Sequence, residues 1–150
     1  MMKKRIPAIL AVCFAISTVV FALLWNTERN SRDDMKEFAQ AQAVDACSQF
    51  AAYQNGGSIS RYWCGVASFY AFQQGYISVF NGTNRSSNYL ICNEVYSYLV
   101  GEPEIGQTYI AELVSIMGLL SKDIEDLSGH AQMLELRNAL NARFDKSPLW

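Results

Sequence analysis

Residues 61–80 have the sequence RYWCGVASFYAFQQGYISVF, with seven aromatic side chains and a single charge, and Ser60 before them is a suitable helix cap. Apolar residues recur here at spacings of three and four, which is the period of an α-helix. They form two stripes: Phe69, Phe72, Tyr76 and Phe80, and Tyr62, Val66, Tyr70 and Ile77. A helix that is apolar on most sides is usually central in a bundle, so we assign these aromatic residues to core packing rather than to a cofactor box.

The flanking sequence predicts more helices of the same kind. A helix that begins near Asp33 ends at the Asn55-Gly56-Gly57 turn, and its apolar line comprises Met35, Ala39, Ala43, Ala46, Phe50 and Tyr53. Further helices are predicted over 86–100 and 107–120, with a short acidic one over 121–127 and a last one that Ser128 caps. Strand-like alternation is absent. The sequence therefore predicts an all-α fold, a small bundle of four or five helices.

The N-terminal segment predicts a membrane span. Lys3, Lys4 and Arg5 precede an uncharged apolar run over 6–25, and twenty helical residues reach about 30 Å, the thickness of a bilayer core. We interpret residues 1–25 as a cytoplasmic basic end and an uncleaved signal anchor, 26–31 as a linker, and 32–150 as a periplasmic helical domain. Two alternatives are a cleaved signal peptide ending near Ala15-Ile16-Ser17 and a lipoprotein modified at Cys13.

Cysteine usage bears on the compartment. Cys47, Cys64 and Cys92 follow the apolar run, and their spacing matches no zinc signature. Outside the cytoplasm their natural use is a disulfide. In a helical hairpin Cys47 and Cys64 lie about 10 Å and about 6 Å from the turn, which makes that pair feasible. A Cys47–Cys92 pair stays possible. The alternative is three reduced, buried cysteines in a cytoplasmic domain.

Candidates for catalysis are few. Glu102, Glu104 and Glu112 form one loose acidic group, and Asp123, Glu125 and Asp126 form another, but such runs are usually solvated faces. His130 is the only histidine, and we expect it at the surface. Asn81-Gly82-Thr83 and Asn84-Arg85-Ser86 fit the N-glycosylation pattern, which matters only in a eukaryotic secretory pathway. We predict no catalytic residue, no metal site and no cofactor.

The charge balance bears on partners. The chain has 12 basic and 14 acidic residues. Without the three N-terminal basic residues, nine remain against fourteen acids, a formal charge of −5. The near-neutral charge argues against nucleic acid, because a phosphate-binding domain needs clustered Lys and Arg. An acidic, rigid helical module suits a protein partner, especially a basic one.

Several short motifs lie between about residues 40 and 120. They are Tyr62-Trp63-Cys64-Gly65-Val66-Ala67 at a helix opening, Cys92 after a helix, Tyr98-Leu99, Pro103-Glu104, and Leu113-Val114 in an apolar helix, with Cys47 as an earlier cysteine. This pattern resembles the Rap/Tai immunity proteins, which neutralise type VI secreted amidase toxins in the bacterial periplasm. A Pro near Cys92 and a late C-terminal Cys are missing from this sequence, and the stretch from Cys92 to Tyr98 is shorter than the family's.

Together these features predict a protein of the bacterial inner membrane, single-pass through residues 6–25, whose periplasmic domain binds and neutralises a protein partner without catalysis, as an immunity protein or inhibitor does. The alternative is a structural accessory subunit of an envelope complex, such as a secretion, conjugation or exclusion apparatus. An enzyme that acts on cell-wall material through acidic residues is a third hypothesis.

Overall fold

The structure is a computed structural model that describes residues 5–80 and 86–144, with side chains described over 17–80 and 88–143. All regular structure in these ranges is helical, which confirms the predicted all-α bundle. Six helices are present there: α1 (Arg5–Gln54), α2 (Ile59–Phe80), α3 (Ser86–Gly101), α4 (Pro103–Thr108), α5 (Ile110–Leu120) and α6 (Leu127–Phe144).

The chain divides into two compact units, Met1–Asp34 and Met35–Trp150, and α1 contributes to both. In the first unit, apolar side chains between Val19 and Trp25 are 48% to 66% exposed, and the Phe21 and Trp25 rings stack with centroids 6.3 Å apart. Residues 26–31, the predicted linker, are helical, so the helix expected to begin near Asp33 is the C-terminal part of α1.

The predicted transmembrane helix over residues 6–25 is wrong, since no helix in the described part of the chain is both long and apolar enough to cross a bilayer. Of the predicted span, only the side chains from Ser17 to Trp25 are described. Beyond Trp25 the same helix continues through charged residues that include Glu28 and Arg29. The side chains of Lys3, Lys4, Arg5 and Cys13 lie outside the described residues.

Small residues bring α1 and α2 into close contact in the second unit. Ala39, Ala43, Ala46 and Phe50 are fully buried on one side of α1, as their spacing predicts. A Cβ atom on Gly65 of α2 would lie 2.6 Å from the Phe50 ring. One on Gly75 would lie 3.1 Å from the Ala39 Cβ. Glycine at both positions therefore sets how closely the two helices pack.

The aromatic residues of α2 form the centre of the core. Its first stripe, with Phe69, Phe72, Tyr76 and Phe80, is buried, which confirms the assignment to core packing. Tyr62 is fully buried as well, and its hydroxyl donates a hydrogen bond of 2.8 Å to the Leu99 carbonyl of α3. Burial raises the pKa of Tyr62, so this hydroxyl remains a protonated donor.

The C-terminal helices differ in detail from the prediction. The helix expected over 107–120 is divided at Tyr109 into α4 and α5, and Pro103 begins α4 at a position where its missing N–H is tolerated. Residues 121–126 form turns instead of the expected short helix. Asp126, rather than Ser128, caps α6, because its Oδ1 accepts a 2.6 Å hydrogen bond from the Gly129 amide three residues on.

The predicted disulfide is also wrong, since Cys47, Cys64 and Cys92 are free thiols in three different environments. Cys92 lies on α3 and is fully buried in the core of the bundle, whereas Cys64 is exposed on α2. Cys47 faces α5, where its Sγ lies 3.5 Å from the Val114 carbonyl oxygen. The hairpin estimate matched heights along the helices but could not supply the direction in which each side chain points.

Substituting Gly65→Ala should lower the free energy of unfolding by about 1–3 kcal/mol, because the new methyl group would overlap the buried Phe50 ring. The matched control is Gly101→Ala at the end of α3, where a Cβ meets nothing within 4 Å. That change should stay within about 0.5 kcal/mol of wild type in urea unfolding. Equal stability of the two variants would contradict the close helix contact.

Thiol alkylation should distinguish the three cysteines in a Cys13→Ser background. Exposed Cys64 should react first at about pH 8, since the thiolate is the reactive form and needs access to reagent. Burial raises the pKa of Cys92 to about 12 and also raises that of Cys47, so both should react slowly until the protein is unfolded. Peptide mass spectrometry measures the order of reaction. Two cysteines that react only after a reductant is added would show a disulfide and contradict the three free thiols.

Candidate protein-binding surface

One side of α2 is exposed and apolar. Ile59, Trp63 and Tyr70 are 50%, 42% and 45% exposed, and their spacings of four and seven place them along the same side of the helix. Arg61 is the single charged residue in α2, and it turns toward α1, where its guanidinium donates to Gln49 Oε1 at 3.0 Å. The exposed side of α2 therefore carries no charge.

Helix α3 extends this apolar surface. The Tyr96 ring lies 5.0 Å from the Tyr70 ring, and Val100, one turn further along α3, is 44% exposed. The two helices are held in register by a 2.9 Å hydrogen bond from Gln73 Nε2 to Asn93 Oδ1. We call the resulting surface the aromatic face, and it consists of Ile59, Trp63, Tyr70, Tyr96 and Val100.

The aromatic face is supported from beneath. The Trp63 ring meets the buried Tyr62 ring edge-on, with centroids 5.3 Å apart. Tyr62 is itself fixed by its hydrogen bond to Leu99 of α3. One side of the Trp63 ring therefore packs against a side chain that is fixed in the core.

Charged groups adjoin the aromatic face at the end of α3. Glu102 and Glu104 follow Val100 in the chain and are exposed. Glu94, two residues before Tyr96 on α3, forms an ion pair with Arg137 of α6, with 3.2 Å between Glu94 Oε2 and Arg137 Nη1. Two accessible carboxylates, those of Glu102 and Glu104, thus lie close to Val100 in sequence.

Three of the six acidic residues predicted as chemistry candidates have structural partners. Asp123 Oδ1 accepts a hydrogen bond of 2.9 Å from the Glu125 amide, and Glu125 pairs with Lys36 of α1 at 2.6 Å. Asp126 caps α6. Within the described ranges, no group of three or more His, Cys, Asp or Glu residues could hold a metal ion.

His130 is a core residue, and the expectation that it lies at the surface is wrong. It is only 9% exposed, and its Nε2 lies 2.8 Å from the Ile124 carbonyl oxygen. Since a carbonyl oxygen can only accept, Nε2 carries the proton and donates it. The Tyr76 ring meets the imidazole edge-on at 5.3 Å. The asparagines of the two glycosylation motifs, Asn81 and Asn84, lie outside the described residues.

Sequence reasoning missed the aromatic face because it assigned Tyr70 to an inward stripe with Tyr62 and Val66. Tyr62 and Val66 are buried, whereas Tyr70 is nearly half exposed. A usable signal was present: α2 is apolar on most sides and carries one charge, so any side left uncovered by neighbouring helices must expose apolar residues.

Comparison with known proteins gives no further identification. No protein-family model, no curated protein and no solved structure matches the chain.

Substituting Tyr70→Ala should cost about 1 kcal/mol or less of unfolding free energy, because its side chain is nearly half exposed. The adjacent change Phe69→Ala removes a fully buried ring and should cost about 3–5 kcal/mol. Urea unfolding of the two variants measures the difference. A comparable loss in both would show that Tyr70 is a core residue and would remove it from the aromatic face.

Proposed function

We propose that this protein is a protein-binding inhibitor that neutralises its partner by covering it, as an immunity protein does, without turnover. The observation that carries the proposal is the aromatic face: five apolar side chains on two helices, uncharged and held on a rigid support. Aromatic residues are enriched at the centres of protein interfaces, where a few of them supply most of the affinity.

Retention of these side chains at the surface supports a binding role. Trp63 and Tyr70 expose a large part of their rings to water, and their contribution to folding is correspondingly small. Contiguous exposed apolar surface on a compact domain is typical of a protein interaction site. A partner that buries the two rings gains the hydrophobic stabilisation that folding leaves unused.

The motif resemblance supplies the class of partner. Trp63, Cys64 and Gly65 belong to the motif that resembles the Rap/Tai immunity proteins, and Trp63 is also part of the aromatic face. We therefore propose a secreted amidase toxin as the partner and the periplasm as the place of action. The excess of acidic over basic residues favours a basic toxin surface, since complementary charge speeds encounter and sharpens partner choice.

A structural role in an envelope complex is the second candidate. It is favoured by the exposed apolar side chains of the first unit, including Phe21, Leu24 and Trp25, each more than 60% exposed. A neighbouring subunit that covered them would gain much apolar burial. Under this hypothesis the full chain co-purifies with a large complex. The double substitution Phe21→Ser with Leu24→Ser abolishes this co-purification and leaves the aromatic face intact.

Removing the aromatic face should abolish protection against the toxin. Cells that express a periplasm-directed amidase of the type VI class should survive with the wild-type chain and die with the variant Trp63→Ala with Tyr70→Ala. Binding measured by calorimetry should weaken by at least about 30-fold, which corresponds to about 2 kcal/mol for a central aromatic pair.

The control variant is Leu127→Ala, which truncates a 77% exposed apolar residue at the start of α6, outside the aromatic face. It should bind and protect like the wild type. Full protection by the aromatic-face variant would exclude this face as the inhibitory surface. Protection against a toxin kept in the cytoplasm, but not against one in the periplasm, would contradict the proposed location.

A further inference from the structure

A surface groove of about 680 Å³ lies between α5 and α6. Its floor and walls combine apolar and acidic residues from both helices. The lining consists of Tyr109, Ala111, Glu112, Ser115 and Ile116 from the α5 side, and Gln132, Glu135, Leu136 and Ala139 from α6. None of these nine side chains is basic, so the groove is negatively charged.

The register of the two helices places the acidic residues opposite each other. Ser115 Oγ donates to Gln132 Oε1 at 3.0 Å, which fixes the pairing of α5 with α6. The helices are antiparallel, since they are joined by the short turn over 121–126 and Gly129 approaches Leu120. Glu112 precedes Ser115 by three residues on α5, and Glu135 follows Gln132 by three residues on α6. In an antiparallel pair of helices the two glutamates therefore lie on opposite sides of the groove.

Within the described ranges these two carboxylates have no side-chain partner. Neither Glu112 nor Glu135 makes a hydrogen bond or an ion pair with any residue that the structure describes. Arg137 of α6 is engaged with Glu94, and Arg143 lies one turn beyond the lining residue Ala139. Like charges on facing positions repel each other and reduce stability unless a cation comes between them.

The apolar part of the groove fits the stem of a long cationic side chain. Ile116 and Leu136 lie beneath the groove at 1% and 4% exposure, and exposed Ala111 and Ala139 supply its accessible apolar surface. Lysine and arginine side chains cover apolar surface with their methylene stems while their charged ends meet carboxylates. An arginine could donate to both glutamates through its planar guanidinium.

We propose that the α5–α6 groove binds a basic segment of a protein partner, with an arginine or lysine side chain held between Glu112 and Glu135. Charge complementarity selects this occupant, because the lining offers two unpaired carboxylates and no cation. The groove is formed by other helices than the aromatic face, so this inference stands whether or not the aromatic face binds an amidase.

A synthetic helical peptide tests the proposal on the full chain. The probe is a 14-residue alanine- and leucine-based peptide with two arginines four residues apart, and its copy carries glutamine at those two positions. Fluorescence anisotropy should show binding of the arginine peptide, and at least about tenfold weaker binding of the glutamine copy. The double variant Glu112→Gln with Glu135→Gln should lose at least about tenfold in affinity for the arginine peptide.

The matched control is Glu37→Gln, which removes one exposed carboxylate of α1 outside the groove and should leave affinity unchanged. Without peptide, the double groove variant should unfold at a higher temperature than wild type, because the repulsion between facing carboxylates is gone. Equal affinity of the two peptides, or wild-type affinity in the double variant, would overturn the proposal. The aromatic-face variant should bind the arginine peptide normally, which separates failure of this inference from failure of the proposed function.

Discussion

The close contact between α1 and α2 is the constraint on which the rest of the bundle depends. Gly65 leaves space for the Phe50 ring, and Gly75 leaves space for Ala39. A side chain at either glycine would force the helices apart and leave gaps around the fully buried aromatic residues. The helix backbones therefore approach each other where one of them has no side chain, and the large rings fill the spaces between these points.

This contact fixes the rotation of α2, and the rotation decides which aromatic residues are buried. With the glycines facing α1, the stripe that contains Phe69, Phe72 and Tyr76 points into the core. The same rotation leaves Trp63 and Tyr70 outside. An uncharged, aromatic exposed surface is thus a direct result of the packing that stabilises the domain, and it requires no separate loop or insertion to present it.

Polar contacts complete the fold and remove several acidic residues from any other role. Glu125 pairs with Lys36, Glu94 pairs with Arg137, and Asp126 caps α6. Glu112 and Glu135 differ from these residues, because the antiparallel register of α5 and α6 sets them opposite each other without a cation. Two surfaces with different chemistry result: one is aromatic and uncharged, and the other is an acidic groove.

Local sequence pattern is enough to predict the helical class and much of the core. The three- and four-residue spacing of Ala39, Ala43, Ala46 and Phe50, and of the α2 aromatic residues, predicted buried faces that the structure contains. Such patterns are local, because side chains three or four residues apart share one side of a helix whatever surrounds it. The apolar composition of residues 6–25 predicted a membrane span, and this prediction is wrong for the described helices.

The direction in which each cysteine side chain points depends on tertiary packing. So do the burial of His130 and the exposure of Trp63 and Tyr70. Each depends on which helices are neighbours and how they are rotated, and residues far apart in the chain fix that rotation through the glycine contacts. The placement of Glu112 opposite Glu135 also depends on tertiary packing. The two residues are 23 positions apart, and only the register of α5 with α6 brings them to opposite sides of one groove. Helical periodicity specifies one face at a time, whereas a binding surface built from two helices requires their packing.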